Sequence, residues 1–544
     1  MRGLPAHIPV RAGSPRTQDK NRSMSRSTRA AHGFLTSALQ YVAQIVLQGL
    51  LAPIVLKLAG RETLGAYAVL IQTLAYLALV DFGLSFSLER YLAQATALDD
   101  GGKRFRHLFT TTRTFYLLTN AAFAALVIIA SFHVGHIFHF SPLIERQARL
   151  AMWVIAAWAV LRTPLMGYNI AMIATQDMAA ANIFASIVGL SRALVALIAV
   201  ASGFGLVGLM LAASIAEGIG TLIYRRRFRR RNPQRIPSWG LPQPGLLREM
   251  LTFGGFVFIA NIGGMLAFNS GNMLVGYLFG ATMASVFYTT QMPTIMGNNI
   301  ALRLGDSAAP AINEVYGRGD RGSLIGIYTR VYRWNILLSS LLALGVLLFN
   351  RDLVNCWVGP QQYGGRLMTV CLAAFVMMIA LEHVNVLFAV AFGWVKALSV
   401  LAVIQASANV TMALFFGRRL GMGGVTLAVV AALVPKSLYL FRRFSREFEI
   451  SMYSLFCRVS LPAVVPTLVA AGAGLAASRY LPGHGWFRFL TEISVCACAF
   501  AVTAFLASTT EEDRLTARKV FASAMSAIRG RSRLVDVPVS EELS

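Results

Sequence analysis

The sequence contains little charge. Only 13% of its 544 residues are Asp, Glu, Lys or Arg, while 56% are hydrophobic, and the mean hydropathy is +0.60. Soluble domains carry about 25% charged residues, so this composition excludes a soluble globular chain. Acidic residues are the scarcer kind, with 24 against 49 basic ones and a net charge of +25. Because the basic residues are not interleaved with aromatic ones as they are on nucleic-acid-binding surfaces, we expect no nucleic-acid partner.

Chemistry-bearing motifs are also missing. The chain has five cysteines, four of them in or beside apolar runs, which predicts neither a disulfide framework nor a zinc site. No glycine-rich phosphate loop ends in Lys-Ser or Lys-Thr, which argues against ATP hydrolysis. No loop is large enough for a soluble catalytic domain. The sequence therefore predicts a protein that is not an enzyme and uses no cofactor.

Long apolar runs are what the sequence has, from Phe34 to Ser508. About 20 apolar residues cross a hydrocarbon core, and backbone groups in lipid must be satisfied within the segment, so the runs predict helices. We expect an all-α polytopic membrane protein with about fourteen transmembrane helices. The predicted spans are 34–58, 64–86, 113–135, 150–173, 180–201, 204–224, 250–275, 282–302, 329–350, 366–389, 395–417, 421–441, 456–478 and 487–508.

Basic residues predict the orientation of these spans. With the N-terminus in the cytoplasm, most Lys and Arg fall in cytoplasmic loops, as the positive-inside rule requires. The strongest signal is a run of six arginines around Phe228, at 225–231. We expect a bacterial inner-membrane protein with both termini cytoplasmic. Its predicted parts are a basic tail (1–33), a six-helix N-terminal lobe (34–224), a basic cytoplasmic linker (225–249), a six-helix C-terminal lobe (250–441), an extra two-helix hairpin (442–508) and a cytoplasmic tail (509–544).

The two predicted lobes share a weak repeat. Leu-Ala-Gly at 58–60, followed by Gly-Ala-Tyr at 65–67, superposes without gaps on Leu-Phe-Gly at 278–280, followed by Ser-Val-Phe at 285–287. Both segments lie between the first and second helix of their half. Repeated halves with a site between them are a common transporter design, so the repeat favours a transporter over a membrane enzyme.

The stretch 58–93, LAGRETLGAYAVLIQTLAYLALVDFGLSFSLERYLA, carries a glycine that closes helix 1, a Gly-x-Tyr that opens helix 2, then Asp81-Phe82-Gly83-Leu84 and Arg90. It resembles the opening of the polysaccharide-export and O-antigen flippase family. The similarity continues at 169–182, at 203–208, through the basic loop and at 253–319.

This resemblance implies a V-shaped pair of lobes, open alternately to each side of the membrane. It implies undecaprenyl-diphosphate-linked oligosaccharide as the cargo, moved to the outer face for O-antigen or exopolysaccharide assembly. A polysaccharide polymerase and a chain-length regulator are then the expected partners, besides membrane lipid. The wider superfamily also contains the lipid II flippase and the multidrug and toxic-compound extrusion proteins.

A polar cargo needs a polar path through hydrocarbon, and amide side chains form candidate stripes on several helices. Amides suit sugar hydroxyls because they both donate and accept hydrogen bonds. They also join helices to each other in membranes, and both interpretations stay open. The candidates are Gln40, Gln44 and Gln48 on helix 1, Asn261, Asn269 and Asn272 on helix 7, Gln291 and Asn298 on helix 8, and Gln405 and Asn409 on helix 11.

Charged residues inside the spans are the second group of candidates. Arg162 and Arg192 fall near mid-span in helices 4 and 5, where an isolated guanidinium costs at least about 2.5 kcal/mol. We expect both to bind a diphosphate or an acidic sugar, because Arg forms paired hydrogen bonds with phosphate. The alternative for Arg162 is a structural pair with Glu217, which is also a candidate coupling residue. Lys436 is a further candidate for the cavity, and Glu382 for ion or proton coupling.

Two other interpretations compete. A cation-coupled multidrug exporter should favour deep carboxylates, and the first half instead has more deep Arg than Glu. A membrane-embedded glycosyltransferase should carry a sizeable outer loop, which the spans do not leave.

His133, His136 and His139 at the outer end of helix 3 could bind zinc. Their spacing rotates them around a helix and no fourth ligand is evident, so an interfacial role is expected.

Overall fold

The computed structural model describes residues 46–47, 49–97, 100–481 and 485–508. This part of the chain is helical and contains no strand. Its helices, in chain order, are α1 (Gly49–Leu58), α2 (Gly60–Leu77), α3 (Leu84–Thr96), α4 (Lys103–Ser131), α5 (Val134–Ile137), α6 (Pro142–Leu161), α7 (Tyr168–Ala174), α8 (Met178–Ala201), α9 (Gly205–Arg231), α10 (Pro244–Phe268), α11 (Gly271–Phe279), α12 (Ala281–Asp306), α13 (Ala309–Arg318), α14 (Arg321–Val358), α15 (Arg366–Ala391), α16 (Val395–Glu447), α17 (Met452–Tyr480) and α18 (Trp486–Ala507).

Membrane-spanning helices dominate the fold. Within the described residues, nine helices are long and apolar enough to cross a membrane, and ten if the bent pair α6 and α7 forms one span. A helix occupies each of the fourteen predicted runs where the structure describes it. The all-α polytopic membrane fold predicted from the sequence is confirmed.

Helix 7, expected as one span over 250–275, is broken. α10 ends at Phe268 and α11 begins at Gly271. The Asn409 amide of α16 donates to the Leu266 carbonyl oxygen at 2.9 Å and to the Ser270 hydroxyl at 3.2 Å. These bonds satisfy polar groups that a helix end leaves exposed. Asn269 and Asn272 therefore lie on either side of a break, and the expected single polar stripe on one helix is wrong.

The fourth predicted span (150–173) is also bent, whereas the eleventh and twelfth (395–417 and 421–441) are joined directly. Pro164 follows the end of α6, and the chain turns by 52° before α7. α16 contains two helices that meet at Gly421, whose φ of 64° and ψ of −149° interrupt the helical backbone. A Cβ on Gly417 would lie 3.1 Å from the Val425 side chain, so the chain folds back at Gly421. The loop expected at 418–420 is helical.

The first half of the chain (46–231) and the second half (244–447) meet at both ends of the helices. We call the end that contains Gly60 and Gly280 the distal face, and the end that contains residues 232–243 the linker face. At the distal face α2 and α12 pack so closely that a Cβ on Gly65 would lie 1.7 Å from the Ala281 carbonyl oxygen. At the linker face, Gly83 lies as close to α10: a Cβ there would be 2.5 Å from the Gly254 carbonyl oxygen.

Glycine at position 83 has a physical reason. Gly83 has a φ of 73°, in the left-handed region, and it follows Phe82, which also has a positive φ of 52°. Glycine adopts this backbone without the strain that a Cβ imposes. The Ser87 hydroxyl, one turn further on, donates to the Met250 carbonyl oxygen at 2.7 Å. The Asp81-Phe82-Gly83-Leu84 motif thus begins the contact between α3 and α10.

The basic run belongs to a helix, because α9 continues past its predicted end at 224 to Arg231. Asp177, at the start of α8, accepts hydrogen bonds from Arg227 Nε at 2.9 Å and from Arg231 at 3.0 Å. The Arg227 hydrogen bond, with the charges of both arginines, holds the pKa of Asp177 below its usual value. After the run, the segment 232–243 lies against α4, where the Arg113 guanidinium stacks 4.1 Å from the centre of the Trp239 ring.

Candidate functional site between the two halves

One face of α2 forms the contact between the halves. Gly65, Val69, Gln72 and Tyr76 recur every three or four residues and so share this face. A Cβ on Gly276 of α11 would lie 2.6 Å from the Val69 side chain, so the two helices are in close contact here. The Gln72 side-chain oxygen accepts from the Met273 backbone N–H at 3.0 Å, and the Tyr76 hydroxyl donates to the Met265 carbonyl oxygen at 3.0 Å. The broken helix of the second half is thus held by side chains of the first.

Arg192 lies on α8, beside a second place where residues of the two halves pack together. It precedes Ala196 by one turn of α8, and Ala196 packs with α1 and α2 in a cluster that also touches Tyr288 of α12. The Arg192 charge lies within electrostatic reach of the Tyr67 hydroxyl on α2. The Arg192 side chain is exposed, and it makes no ion pair with any residue that the structure describes. We call Arg192, Tyr67 and Tyr288 the Arg192 site.

Arg162 is partnered. It lies at the end of α6, where the helix bends, and its guanidinium forms an ion pair with Glu217 of α9. The pair is not sealed from its surroundings, because 26% of the Arg162 side chain and 40% of the Glu217 side chain are exposed. The structure therefore brings together two candidates that the sequence placed on predicted helices 4 and 6. Arg162 has an acidic partner, whereas Arg192 has none among the residues that the structure describes.

Lys436 and Glu382 form a second ion pair, buried inside the second half. Their side chains are only 9% and 4% exposed, so the pair is shielded from both lipid and solvent. Lys436, a candidate for the cavity, instead points into the second half towards Glu382. A buried ammonium needs such a carboxylate, since neither charge is stable alone in a low-dielectric interior. His383, next along the chain, points elsewhere and contacts Asp306 at 2.8 Å.

The amide candidates lie in different environments. Asn272 is buried in α11, where its oxygen accepts from the Gln291 amide of α12 at 2.9 Å. Asn269 is exposed at the end of α10. Gln40, Gln44 and Gln48 lie outside the described residues, as does the side chain of Asn261. For Asn272 and Asn409, therefore, the geometry fits the helix-joining interpretation.

Sequence reasoning missed the tyrosines Tyr67, Tyr76 and Tyr288, because a tyrosine in an apolar run resembles an ordinary core residue. It also missed the break in helix 7. A signal for the break was present in Asn-Ser-Gly at 269–271, three residue types that favour turns. Cross-helix contacts such as that of Tyr76 have no counterpart in the local pattern.

The three histidines do not form a metal centre. No group of three or more His, Cys, Asp or Glu side chains is arranged to hold a metal ion within the part of the chain that the structure describes. His133 Nδ1 contacts the Ile129 carbonyl oxygen at 3.0 Å. His136 and His139 are exposed beyond it, at the distal face.

Some solved structures have a similar architecture. No family model and no curated protein matches the chain. Among solved structures, the lipid II flippase MurJ in an inward closed conformation is 13% identical, with a TM-score of 0.65 over 86% of this chain and 98% of MurJ. An inward-facing multidrug resistance transporter of the MATE family, of the MOP superfamily, is 15% identical, with a TM-score of 0.63 over 74% of this chain and 94% of that chain.

The fold of the chain is similar to the folds of MATE transporters and of MurJ. An outward-facing MATE transporter is also similar, at 14% identity and a TM-score of 0.51, over 75% of this chain and 95% of that chain. These structural neighbours are transporters and a flippase, and the similarity to them is one of fold. Membership of the O-antigen flippase family stays a prediction.

Proposed function

We propose that the protein is a flippase that translocates an undecaprenyl-diphosphate-linked oligosaccharide across the bacterial inner membrane by alternating access. The linker face is then cytoplasmic, as its arginines require. The cargo is an O-antigen or exopolysaccharide repeat unit, released at the distal face. It would pass to a polysaccharide polymerase and a chain-length regulator there.

The proposal rests on the position and charge of Arg192. A mid-span guanidinium without an acidic partner is expensive in a membrane and is retained where it faces water or an anion. Its placement within electrostatic reach of Tyr67, one turn from a cluster that includes Tyr288 of the other half, suits a diphosphate or an acidic sugar. The guanidinium can form two parallel bonds to phosphate, and the phenols can donate to sugar oxygens. Similarity to the fold of a lipid II flippase supports the same class of cargo.

The two close contacts between the halves provide the elements of alternating access. For cargo to reach the Arg192 site, the Gly83–Gly254 contact must open at the linker face, and for release the Gly65–Ala281 contact must open at the distal face. Opening both at once would leak ions. Glycines at these positions let backbones approach closely, so each contact excludes water when closed.

The two ion pairs have different proposed roles. Arg162 can exchange Glu217 for an anionic cargo because the pair is partly open, which keeps Arg162 as a second anion-binding residue. Glu382 and Lys436 are too buried to touch a cargo in this conformation, and we propose that Glu382 couples transport to an ion or a proton. Lys436 would then respond to the charge of Glu382 and would not bind the sugar directly.

A cation-coupled multidrug exporter is the second candidate, because the MATE transporters share the fold almost as completely. Such a protein should bind cations near an unpaired deep carboxylate. Both deep candidates, Glu217 and Glu382, are occupied by a basic side chain in this structure. Arg192, beside the place where the halves pack together, forms no ion pair within the described part of the chain, and its positive charge favours an anionic cargo.

Flipping of a labelled undecaprenyl-diphosphate oligosaccharide in proteoliposomes tests the proposal. Wild type should transport it, Arg192→Ala should reduce the rate at least tenfold, in the range of about 1.5–3 kcal/mol for a charged hydrogen bond, and Arg192→Lys should restore part of it. Arg458→Ala, which removes an exposed arginine of α17, is the matched control and should transport normally.

The same vesicles distinguish the two candidates. Efflux of cationic dyes without flipping of any polyprenyl-linked sugar would assign the protein to drug export. Flipping that is equally fast in Arg192→Ala would leave the flippase assignment in place and remove Arg192 from the binding site.

A further inference from the structure

A cavity of about 510 Å³ opens at the distal face, apart from the Arg192 site. His136 and His139 line it from the segment after α4, which belongs to the first half. Tyr277 of α11 and Arg418 of α16 line it from the second half. The remaining lining is apolar. The cavity therefore lies across the boundary between the halves, and each half supplies nitrogen-bearing side chains.

The polar groups of this distal cavity suit an anion. Arg418 is always charged and offers five N–H donors, and each imidazole offers at least one. No acidic side chain is among the lining residues. The nearest carboxylate along the chain, Glu145, is bonded to Arg149 at 2.5 Å. Within the described residues, the side chains of His136, His139 and Arg418 form no hydrogen bond or ion pair with the protein, so three donor side chains are free at one cavity.

The backbone around the cavity is closely fitted across the boundary. The Phe138 ring packs against Gly276 of the second half, where a Cβ would lie 3.3 Å from the ring. His139, the next residue, has a φ of 54°, in the left-handed region that a residue with a Cβ seldom adopts. Such strain persists only where neighbouring structure holds it. His139 is thus held at the boundary, close to Gly280 of the second half.

We propose that this cavity binds an anionic oxygen group, a phosphate or a carboxylate, between the two histidines and Arg418. A bound anion joins the two halves through charged hydrogen bonds, and so stabilises the conformation that is closed at the distal face. The group can come from an acidic lipid headgroup or from an acidic sugar, since both present the same oxygens. The site does not depend on the proposed cargo, because its ligand need not be transported.

Equilibrium binding of radiolabelled inorganic phosphate to the full-length protein tests the inference. The protein is held in phosphatidylcholine nanodiscs at constant ionic strength and neutral pH. Wild type should bind phosphate saturably, and Arg418→Gln should raise the dissociation constant about tenfold or more, because a charged hydrogen bond is lost. Arg418→Lys should lie between them. Arg419→Gln, whose guanidinium instead stacks 4.2 Å from the Phe415 ring centre, is the matched control and should bind like wild type.

Competition identifies the source of the anion. Displacement of phosphate by phosphatidylglycerol added to the nanodiscs assigns the site to a lipid headgroup, and displacement by glucuronate assigns it to an acidic sugar. The double variant His136→Gln/His139→Gln should weaken all three ligands. Thermal unfolding without anion checks that each variant is folded. The inference is overturned if wild type binds none of the three anions, or if folded Arg418→Gln and Arg418→Lys both bind them as wild type does.

Discussion

The Tyr76 hydroxyl donates to the Met265 carbonyl oxygen at 3.0 Å, across the contact between the two halves. From the other side, Asn409 donates to the next carbonyl oxygen, that of Leu266, at 2.9 Å. The end of α10 is therefore held by one side chain from each half. Because this end precedes the break before α11, a movement of either half is transmitted to the broken helix.

Tyr76→Phe should loosen the halves without unfolding either. A single hydrogen bond contributes about 1 kcal/mol net, which corresponds to about a fivefold change in the ratio of open to closed conformations. Electron–electron distance measurements between spin labels at positions 143 and 366 on the distal face, in a background without the native cysteines, report that ratio. Tyr480→Phe, at a tyrosine that is 79% exposed, should leave the distances unchanged. An unaltered distribution in Tyr76→Phe would show that the bond does not join the halves energetically.

Gly65→Ala should force the distal face open. The added methyl group would lie 1.7 Å from the Ala281 carbonyl oxygen, so the backbones of α2 and α12 must separate. We expect longer distances between the same two labels and slower or abolished transport. Gly472→Ala in α17, where a Cβ meets nothing within 4 Å, is the matched control and should be neutral or slightly stabilising. Wild-type distances in Gly65→Ala would refute the close contact.

Lys436→Met should be strongly destabilising. It leaves the Glu382 carboxylate buried without its partner, and breaking a buried pair from one side costs about 3–5 kcal/mol. The double variant Lys436→Met/Glu382→Gln removes both charges and should recover most of that loss. Denaturant unfolding in detergent measures both changes. If Glu382 also couples transport, the double variant should fold and yet lose its response to a pH gradient.

Arg162 and Glu217 can be separated by their transport rates. If Arg162 binds the cargo, Glu217→Gln frees the guanidinium and keeps transport, whereas Arg162→Gln slows it. If the pair is only structural, both variants should slow transport alike. Flipping rates at matched protein levels decide between the two roles.

Asp177 should make the end of α8 sensitive to acid. Its pKa is held below the ordinary value of 3.8 by the Arg227 hydrogen bond, so its contribution to stability is full above that value. The contribution falls as the pH drops from 3.8 through the lower folded-state pKa, because the carboxylate is protonated and its bonds to Arg227 and Arg231 are lost. Asp177→Asn should therefore reduce stability at pH 6 and lose less on further acidification. Thermal unfolding at pH 6 and pH 3 compares the two proteins, and parallel pH profiles would contradict the assignment.

The fourteen predicted runs follow from the sequence because lipid imposes one simple rule on every span. A backbone in hydrocarbon must bond to itself, so the length and apolarity of a run are enough to predict a helix. The interruptions had weaker signals. Pro164 and the Asn-Ser-Gly at 269–271 mark breaks by local chemistry, but they do not say which side chains of other helices bind the chain at each break.

The partner of each charged residue was decided by the tertiary structure alone. Composition and position identified Arg162, Arg192, Glu217, Glu382 and Lys436 as costly residues that need partners. The sequence could not predict the pair of Glu382 and Lys436, or that Arg192 has no acidic partner within the described residues. Partners in a helical bundle are set by packing between helices that are far apart in the chain. Burial in lipid is a property of each segment by itself, whereas a binding site is a property of the contacts between segments.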